Sequence, residues 1–415
     1  TSLDTIMRMM SMAYGKQVIL LIDEYDVPLQ KAYNNGYYRE MLDIIRAMMS
    51  TALKTNENLK FAVVTGCLRI SKESIFTGVN NFSPYSVLDE EYSSFFGFTQ
   101  KEIDSLLAYY ERKERADLLK KWYDGYTFGH TEIYCPWDVM SYMSALCKRR
   151  NAVPKPYWEN TSGNDAIKAF FEMEGVEFSE KLEALMNRKT IVEPIIPTLT
   201  YEEAFQSESN LWSILLMTGY LTIDREEDSE PGEEEAEQAG DDEVEKEVSI
   251  RIPNYEIISI FKRAVVDHFK KTIDKGRVSE LMRSLWEGDD QKASEILSDL
   301  LWGTISYMDY HEDYYHAFLT GIFVGRGGYA VKSNKEQGQG RLDVEIRDKV
   351  NRRAIIIEAK KSDLEEKMEY WCKEAIQQIK RNGYATNLDG YLEVRCYGVS
   401  FFKKRALVKR MKENA

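Results

Sequence analysis

Over the first hundred residues, short apolar runs alternate with longer amphipathic ones, and this order restricts the fold more than any other feature of the chain. A helical pattern ends near Gly15 and "QVILLIDEYD" follows; a second helical pattern extends from about Tyr37 to Asn56, and "KFAVVTG" is another apolar run. Short continuous apolar runs between helices suit buried strands of a parallel sheet with helices on its faces, so the expected fold class is α/β. From Thr99, in "FTQKEIDSLLAYYERKERADLLKKWYDGY", the pattern turns mainly helical and stays so to about Gly219. Thr99 with Glu102 three residues on has the spacing of a capping box. Helices resume after "IRIPNYE" and run to about Tyr310, and a final α/β segment follows.

A chain of 415 residues exceeds what one hydrophobic core serves, so two or three domains are expected. The divisions read from the pattern are an α/β core at 1–105, a helical region at 106–222, an acidic insertion at 223–248, a helical linker at 249–308 and a second α/β domain at 309–415. Five scattered cysteines without a CxxC pair argue against a disulfide framework or a zinc module and fit a reducing cytoplasm. The longest apolar runs, "VILLI" and "LWSILLMTGYL", fall short of the roughly 20 residues that cross a bilayer, and no signal peptide is recognisable. No membrane partner is expected.

The net charge of -14 is concentrated in one place. Residues 224–247 carry 14 acidic and 2 basic side chains and few apolar ones, the composition of a disordered insertion. Residues 311–415 carry 21 Lys and Arg against 15 Asp and Glu, and "FFKKRALVKRMK" clusters basic and aromatic residues that could meet phosphates or form a solvated amphipathic face.

Within that basic segment, "GRLDVEIRDKVNRRAIIIEAKK" places charges inside two strand patterns. Alternation puts Leu342, Val344 and Ile346 on one face of the first strand and Arg341, Asp343 and Glu345 on the other. In the second, Ile356, Glu358 and Lys360 share a face. A hairpin can bring Asp343, Glu358 and Lys360 to one end of a sheet, where two carboxylates call for a cation. Oxygen donors favour Mg²⁺ or Mn²⁺ over zinc. Such an ion polarises a phosphate and activates water, while the lysine orients that water or stabilises the developing charge.

Asp343 followed 15 residues later by Glu358-x-Lys360 has the spacing of the PD-(D/E)XK nuclease superfamily, with Leu342 where its name has proline. "YHAFLTGIF", "NKEQGQGRLDVEI", "AIIIEAKK" and "EAIQQIKRNGYA" resemble the nuclease-like domain at the C-terminus of a bacterial family of AAA-ATPase-like proteins. The resemblance implies a restriction-endonuclease-like α/β domain with Asp343 and Glu358 as metal ligands, Lys360 as catalytic lysine and Gln378 as an accessory polar group. It further implies Glu312 as the acidic residue of the first helix, supported by Glu336 and Arg341.

"QVILLIDEYD" also has the form of a Walker B element, in which Asp23 would hold Mg²⁺ through water and Glu24 would activate the attacking water. "LIDEYDVPLQKA", "LKFAVVTGCLRISKESIFTGVNNF", "FFGFTQKEI", "KKWYDGYTFG", "IYCPWDVMSYM" and "YWENTSGND" resemble successive blocks of the same AAA-ATPase-like family. That implies a P-loop-type parallel sheet and ATP as cofactor of the intact protein, with Thr65 as a sensor residue; Arg69 and Lys72 could reach phosphate or could equally pair only with local carboxylates. No G-x-x-x-x-G-K-[ST] loop is present, so ATP hydrolysis by this chain is expected to be poor or absent. Truncation ahead of Thr1 and degeneration of the ATPase both remain open.

His130, His268, His311 and His316 are too dispersed for a metal cluster, and His316 reads as a packed or hydrogen-bonding residue in preference to a ligand. The aromatic residues of "KKWYDGYTFG" and "YWENTSG" read as core and cap elements in preference to base-stacking ones. The function expected is Mg²⁺-dependent phosphodiester hydrolysis on nucleic acid, DNA before RNA, coupled in the intact protein to an AAA-like ATPase. The alternative is a nucleotide-regulated switch or scaffold whose nuclease-like domain only binds nucleic acid. Oligomeric state stays open.

Overall fold

The structure, a computed structural model, describes residues 2–68, 82–158, 166–167, 178–203, 206–224, 246–302, 312–324, 329–337, 340–384, 388 and 390–412. The chain forms two compact units, 1–176 with 188–259, and 177–187 with 260–415.

In the first unit, α1 (Ser2–Tyr14) stops at Gly15, whose φ of 62° suits a left-handed cap. Strands β1 (Val18–Ile22) and β2 (Leu59–Val64) pair in parallel, with Ile19 beside Phe61 and Leu21 beside Val63. Between them run α2 (Val27–Asn34) and α3 (Tyr38–Leu53). Leu42, Ile45, Met49 and Ala52 recur at helical spacing on α3 and join Leu20 and Met7 in one core. The opposite face of the strand pair, carrying Ile19, Leu21, Phe61 and Val63, is exposed.

The capping box forms at α4 (Gln100–Tyr109), where a Glu102 carboxylate oxygen accepts the Thr99 N–H at 2.9 Å. Helices α5 (Ala116–Tyr123) and α6 (Pro136–Lys148) flank a hairpin of β3 (Tyr126–Phe128) and β4 (Thr131–Ile133). Leu119, Tyr123, Tyr134 and Tyr142 form a second core with Ile103 and Leu107, so Tyr123 of "KKWYDGY" is a core residue.

After α7 (Phe178–Met186), which belongs to the second unit, come β5 (Ile191–Ile195), α8 (Glu208–Met217), β6 (Thr222–Ile223) and β7 (Lys246–Arg251). The small sheet has the order β5-β7-β6. These strands correct both margins of the segment read as an acidic insertion. Ile223 pairs with Ile250, and Lys246 to Val248 pair with Ile195 to Glu193, because the apolar alternation that ends at the buried Ile250 starts inside the acidic run. Residues 225–245 lie outside the described residues.

The chain enters the second unit within α9 (Tyr255–Thr272) and continues through α10 (Lys275–Glu287), α11 (Asp290–Trp302) and α12 (Glu312–Phe323). Strands β8 (Ala330–Gln337), β9 (Gly340–Asp348) and β10 (Arg353–Lys361) form an antiparallel meander. Helix α13 (Met368–Arg381) then returns the chain to β11 (Glu393–Phe402), parallel to β10, and β12 (Arg405–Arg410) pairs antiparallel at the edge. The sheet order is β12-β11-β10-β9-β8.

Both faces of this sheet are covered, which explains the uninterrupted apolar run of β10, where Ala354 to Ile357 are all buried. Gly398, beside Glu358, lies so close to α13 that an added Cβ would sit 2.2 Å from the Cys372 carbonyl oxygen. Phe401, on the opposite face, stacks on Tyr315 of α12 with ring centroids 4.5 Å apart. The outer edge of β12 is closed by α11. Ser298 and Ser294 hydroxyls accept the N–H groups of Ala406 and Val408 at 3.0 and 2.8 Å, and Asp290 accepts that of Arg410 at 3.3 Å. Four residues of helix advance about as far as two of strand, so one side-chain row satisfies one row of edge amides. No described helix is long and apolar enough to cross a membrane.

Candidate functional site

The register of the meander assembles a polar site at one end of the large sheet. Strands β9 and β10 pair from Asp348 with Arg353 to Val344 with Ile357. Past that last rung, a side chain replaces the backbone partner: the Asp343 carboxylate accepts the Ala359 N–H at 2.8 Å. Glu358 follows Ile357 on β10 and faces α13, where Gln378 Nε2 donates to its Oε1. Lys360, two residues on and on the same face, brings Nζ to 4.0 Å from that oxygen. Asp343, Glu358, Lys360 and Gln378 thus meet at one strand end.

Burial grades across the site. The Glu358 side chain is 1% exposed, whereas those of Asp343 and Lys360 are each 18% exposed, so the cluster opens to solvent on the Asp343 and Lys360 side. A carboxylate as deep as Glu358 requires compensation, which the Gln378 amide gives as a hydrogen-bond donor and the Lys360 ammonium gives as an opposite charge 4.0 Å away. Helix α13 aims Gln378 by burying Cys372, Ala375 and Ile379 against the sheet. His316, read from sequence as a packed or hydrogen-bonding residue, lies beside the site. Its Nε2 lies 3.1 Å from the Asp343 carbonyl oxygen and 3.6 Å from Asp343 Oδ1, tying α12 to β9.

Two carboxylates on adjacent strands, with an amide and an ammonium group behind them, make an oxygen-donor set that fits Mg²⁺ or Mn²⁺. The described residues contain no cluster of three His, Cys, Asp or Glu donors. The side chains of Glu312, Glu336 and Arg341 lie outside the described residues. Glu345 departs from the simple alternation picture. It shares the polar face of β9 yet is wholly buried, with Arg347 Nε donating to its carboxylate.

The second set of sequence-derived residues sits at the ends of β1 and β2. Thr65 Oγ1 donates to an Asp23 carboxylate oxygen, and the Glu24 N–H lies 3.4 Å from that hydroxyl. Glu24 has φ of 52°, an uncommon conformation for a residue with a side chain and one found at strained functional turns. Asp23 and Glu24 are exposed. Arg69 and Lys72 lie outside the described residues. Sequence reasoning missed Asp26, which is 1% exposed and accepts the Cys67 and Leu68 N–H groups at 3.1 and 3.0 Å and the Tyr201 hydroxyl at 3.1 Å. Its local signal was the second aspartate of "DEYD"; Tyr201, a partner 175 residues away, left none.

Comparison with known proteins matches two segments of the chain to described families. Residues 310–411 match the family described as the PD-(D/E)XK nuclease superfamily, and residues 1–76 match the family described as Predicted AAA-ATPase. An uncharacterized protein in the vnfD 5′ region of Azotobacter chroococcum mcd 1 is 24% identical over 390 residues, spanning 92% of this chain and 68% of that protein.

Proposed function

From a C-terminal domain of the PD-(D/E)XK nuclease superfamily, we propose that this chain hydrolyses phosphodiester bonds in nucleic acid, DNA in the first instance, with Mg²⁺ or Mn²⁺ held by Asp343 and Glu358. The observation that supports the reading best is the convergence of Asp343, Glu358, Lys360 and Gln378 at a single strand end. When bound, the ion supplies phosphate polarisation and a more acidic water. Lys360 orients the attacking water and offsets charge developing on the phosphate. Gln378 fixes the Glu358 carboxylate, and His316 fixes the β9 backbone at Asp343.

Positive groups near the same strand end suit a nucleic-acid backbone. Lys361 closes β10 beside Phe401, and Lys403, Lys404 and Arg405 make the following turn into β12. Asp23, Glu24, Thr65 and Arg69 belong to an ATP-responsive element that gates or positions the nuclease. Cleavage rates that ignore ATP count against that coupling.

The test is cleavage of single- and double-stranded DNA and RNA in Mg²⁺, Mn²⁺ or EDTA by the wild-type chain and Lys360→Ala. Metal-dependent cutting lost in the variant supports the reading. Nucleic-acid binding without cutting favours a binding module instead, and cutting that survives the substitution places the activity outside this site.

A further inference from the structure

The "KKWYDGY" stretch contributes Tyr123 to a core, but its lysines serve another feature. A cavity of about 260 Å³ in the first unit is lined by Lys120 and Lys121 at the end of α5, Arg251 at the end of β7, and Arg188. Asp124 and Glu132 also line it. Four cations thus face two carboxylates on the wall.

These cations differ in what they already bind. Lys120 Nζ lies 3.7 Å from Asp124 Oδ2, and Arg251 Nε lies 3.0 Å from Asp224 Oδ1. Lys121 and Arg188 make no ion pair among the described residues. Both instead stand over the Tyr255 ring, Lys121 Nζ at 4.4 Å and the Arg188 guanidinium carbon at 4.2 Å from its centroid. One aromatic face or edge cannot neutralise two like charges held so near each other; a dianion between them can.

The backbone is arranged for the same end. Arg188 has φ of 61°, a left-handed conformation that a long side chain adopts at a cost of about 1 kcal/mol or more. Gly125 has φ of 97° and approaches the opposite wall so closely that an added Cβ would lie 2.2 Å from the Pro253 carbonyl oxygen. An arginine in the left-handed region and a tight Gly–Pro contact thus both belong to the cavity lining.

We infer that this cavity is a phosphoryl-binding site, taking a phosphate monoester or diphosphate group between Lys121 and Arg188 with Arg251 behind it. The charge of such a group, close to -2 at neutral pH, matches the two cations, Lys121 and Arg188, that form no ion pair among the described residues, and guanidinium groups favour phosphate through paired N–H donors. The site shares no residue with the strand-end clusters of Asp343 or Asp23, so it stands whether or not the nuclease reading does.

Calorimetric titration of the full chain with inorganic phosphate, pyrophosphate and AMP tests the inference. Saturable binding is expected for at least one probe. Affinity should fall about tenfold or more in Lys121→Met/Arg188→Met, the loss expected for two charge-assisted contacts. Lys101→Met/Lys113→Met removes the same charge from exposed positions of the same unit and should retain the affinity. AMP binding tighter than inorganic phosphate identifies a nucleotide as the source, and equal binding identifies free phosphate. Circular dichroism confirms that the double variant is folded. Absence of saturable binding by all three probes overturns the inference, as does equal loss in both double variants or undiminished affinity in Lys121→Met/Arg188→Met.

Discussion

Two strand ends in this chain carry the same sequence signature, an apolar run followed by acidic residues, in very different surroundings. Asp23 and Glu24 follow a parallel strand pair with one face exposed, and both are themselves exposed. Glu358 ends a run covered by helices on both sheet faces and is 1% exposed. At the first end, one hydroxyl from Thr65 meets Asp23. At the second, an amide and an ammonium group from different elements reach the buried carboxylate. An acidic residue after an apolar strand acquires strong electrostatic interactions only where the layers around it exclude water.

The contrast can be broken or sharpened by mutation. The largest stability difference is expected between two apolar strand positions. Ile356→Ala removes side-chain volume from a position that is 0% exposed and should cost about 2–5 kcal/mol in urea unfolding, whereas Leu21→Ser, at 72% exposed, should stay within about 0.5 kcal/mol. Comparable losses at both sites would show that the outer face of β1 and β2 is covered in solution. Next in size, Gln378→Ala takes one donor from Glu358 and should cost about 1–3 kcal/mol; a change too small to measure would mean that water replaces the amide at no penalty.

A smaller effect concerns buried acids away from both strand ends. Glu256 and Asp138 are 1% and 2% exposed, and the Trp158 N–H donates to Glu256 at 2.8 Å. Burial, then the neighbouring Asp138 carboxylate, pushes the Glu256 carboxyl up to about 9. Its folded-state value exceeds its unfolded one, so the folded chain holds more protons across that interval. Stability from this group is complete below the unfolded value near 4.5 and is lost as pH rises towards 9. The melting temperature should therefore drop between pH 6 and pH 9, and Glu256→Gln should flatten that slope. An unchanged slope in the variant would assign the alkaline loss to other groups.

Much of the large site was legible because its information is local. The alternation of "RLDVEI" and "AIIIEAKK" places Asp343, Glu358 and Lys360 on one face, and the observed register does the same. Gln378 came from the resemblance alone; its contact with Glu358 depends on how α13 crosses the sheet. Periodicity placed Glu345 on the face of Arg341 and Asp343 but says nothing of what covers that face, so its burial was not legible. Asp26 and the Asp138 and Glu256 pair went unread for a related reason. Their partners come from 41 to 175 residues away, and no spacing rule spans such distances. The thin edge of β7 inside an acidic run was hidden by composition, which outweighed a short apolar alternation.

The central claim is that Asp343 serves a metal-dependent nuclease site rather than the fold alone. Asp343→Asn preserves an acceptor for the Ala359 amide while removing the charge, so it separates these roles. The decisive measurement is the initial rate of DNA cleavage in Mg²⁺ by the wild-type chain and Asp343→Asn, with melting temperatures of both. The account predicts metal-dependent cleavage that falls by roughly a hundredfold to a thousandfold in a variant that melts as the wild type does. Equal cleavage rates in the two folded proteins would contradict it.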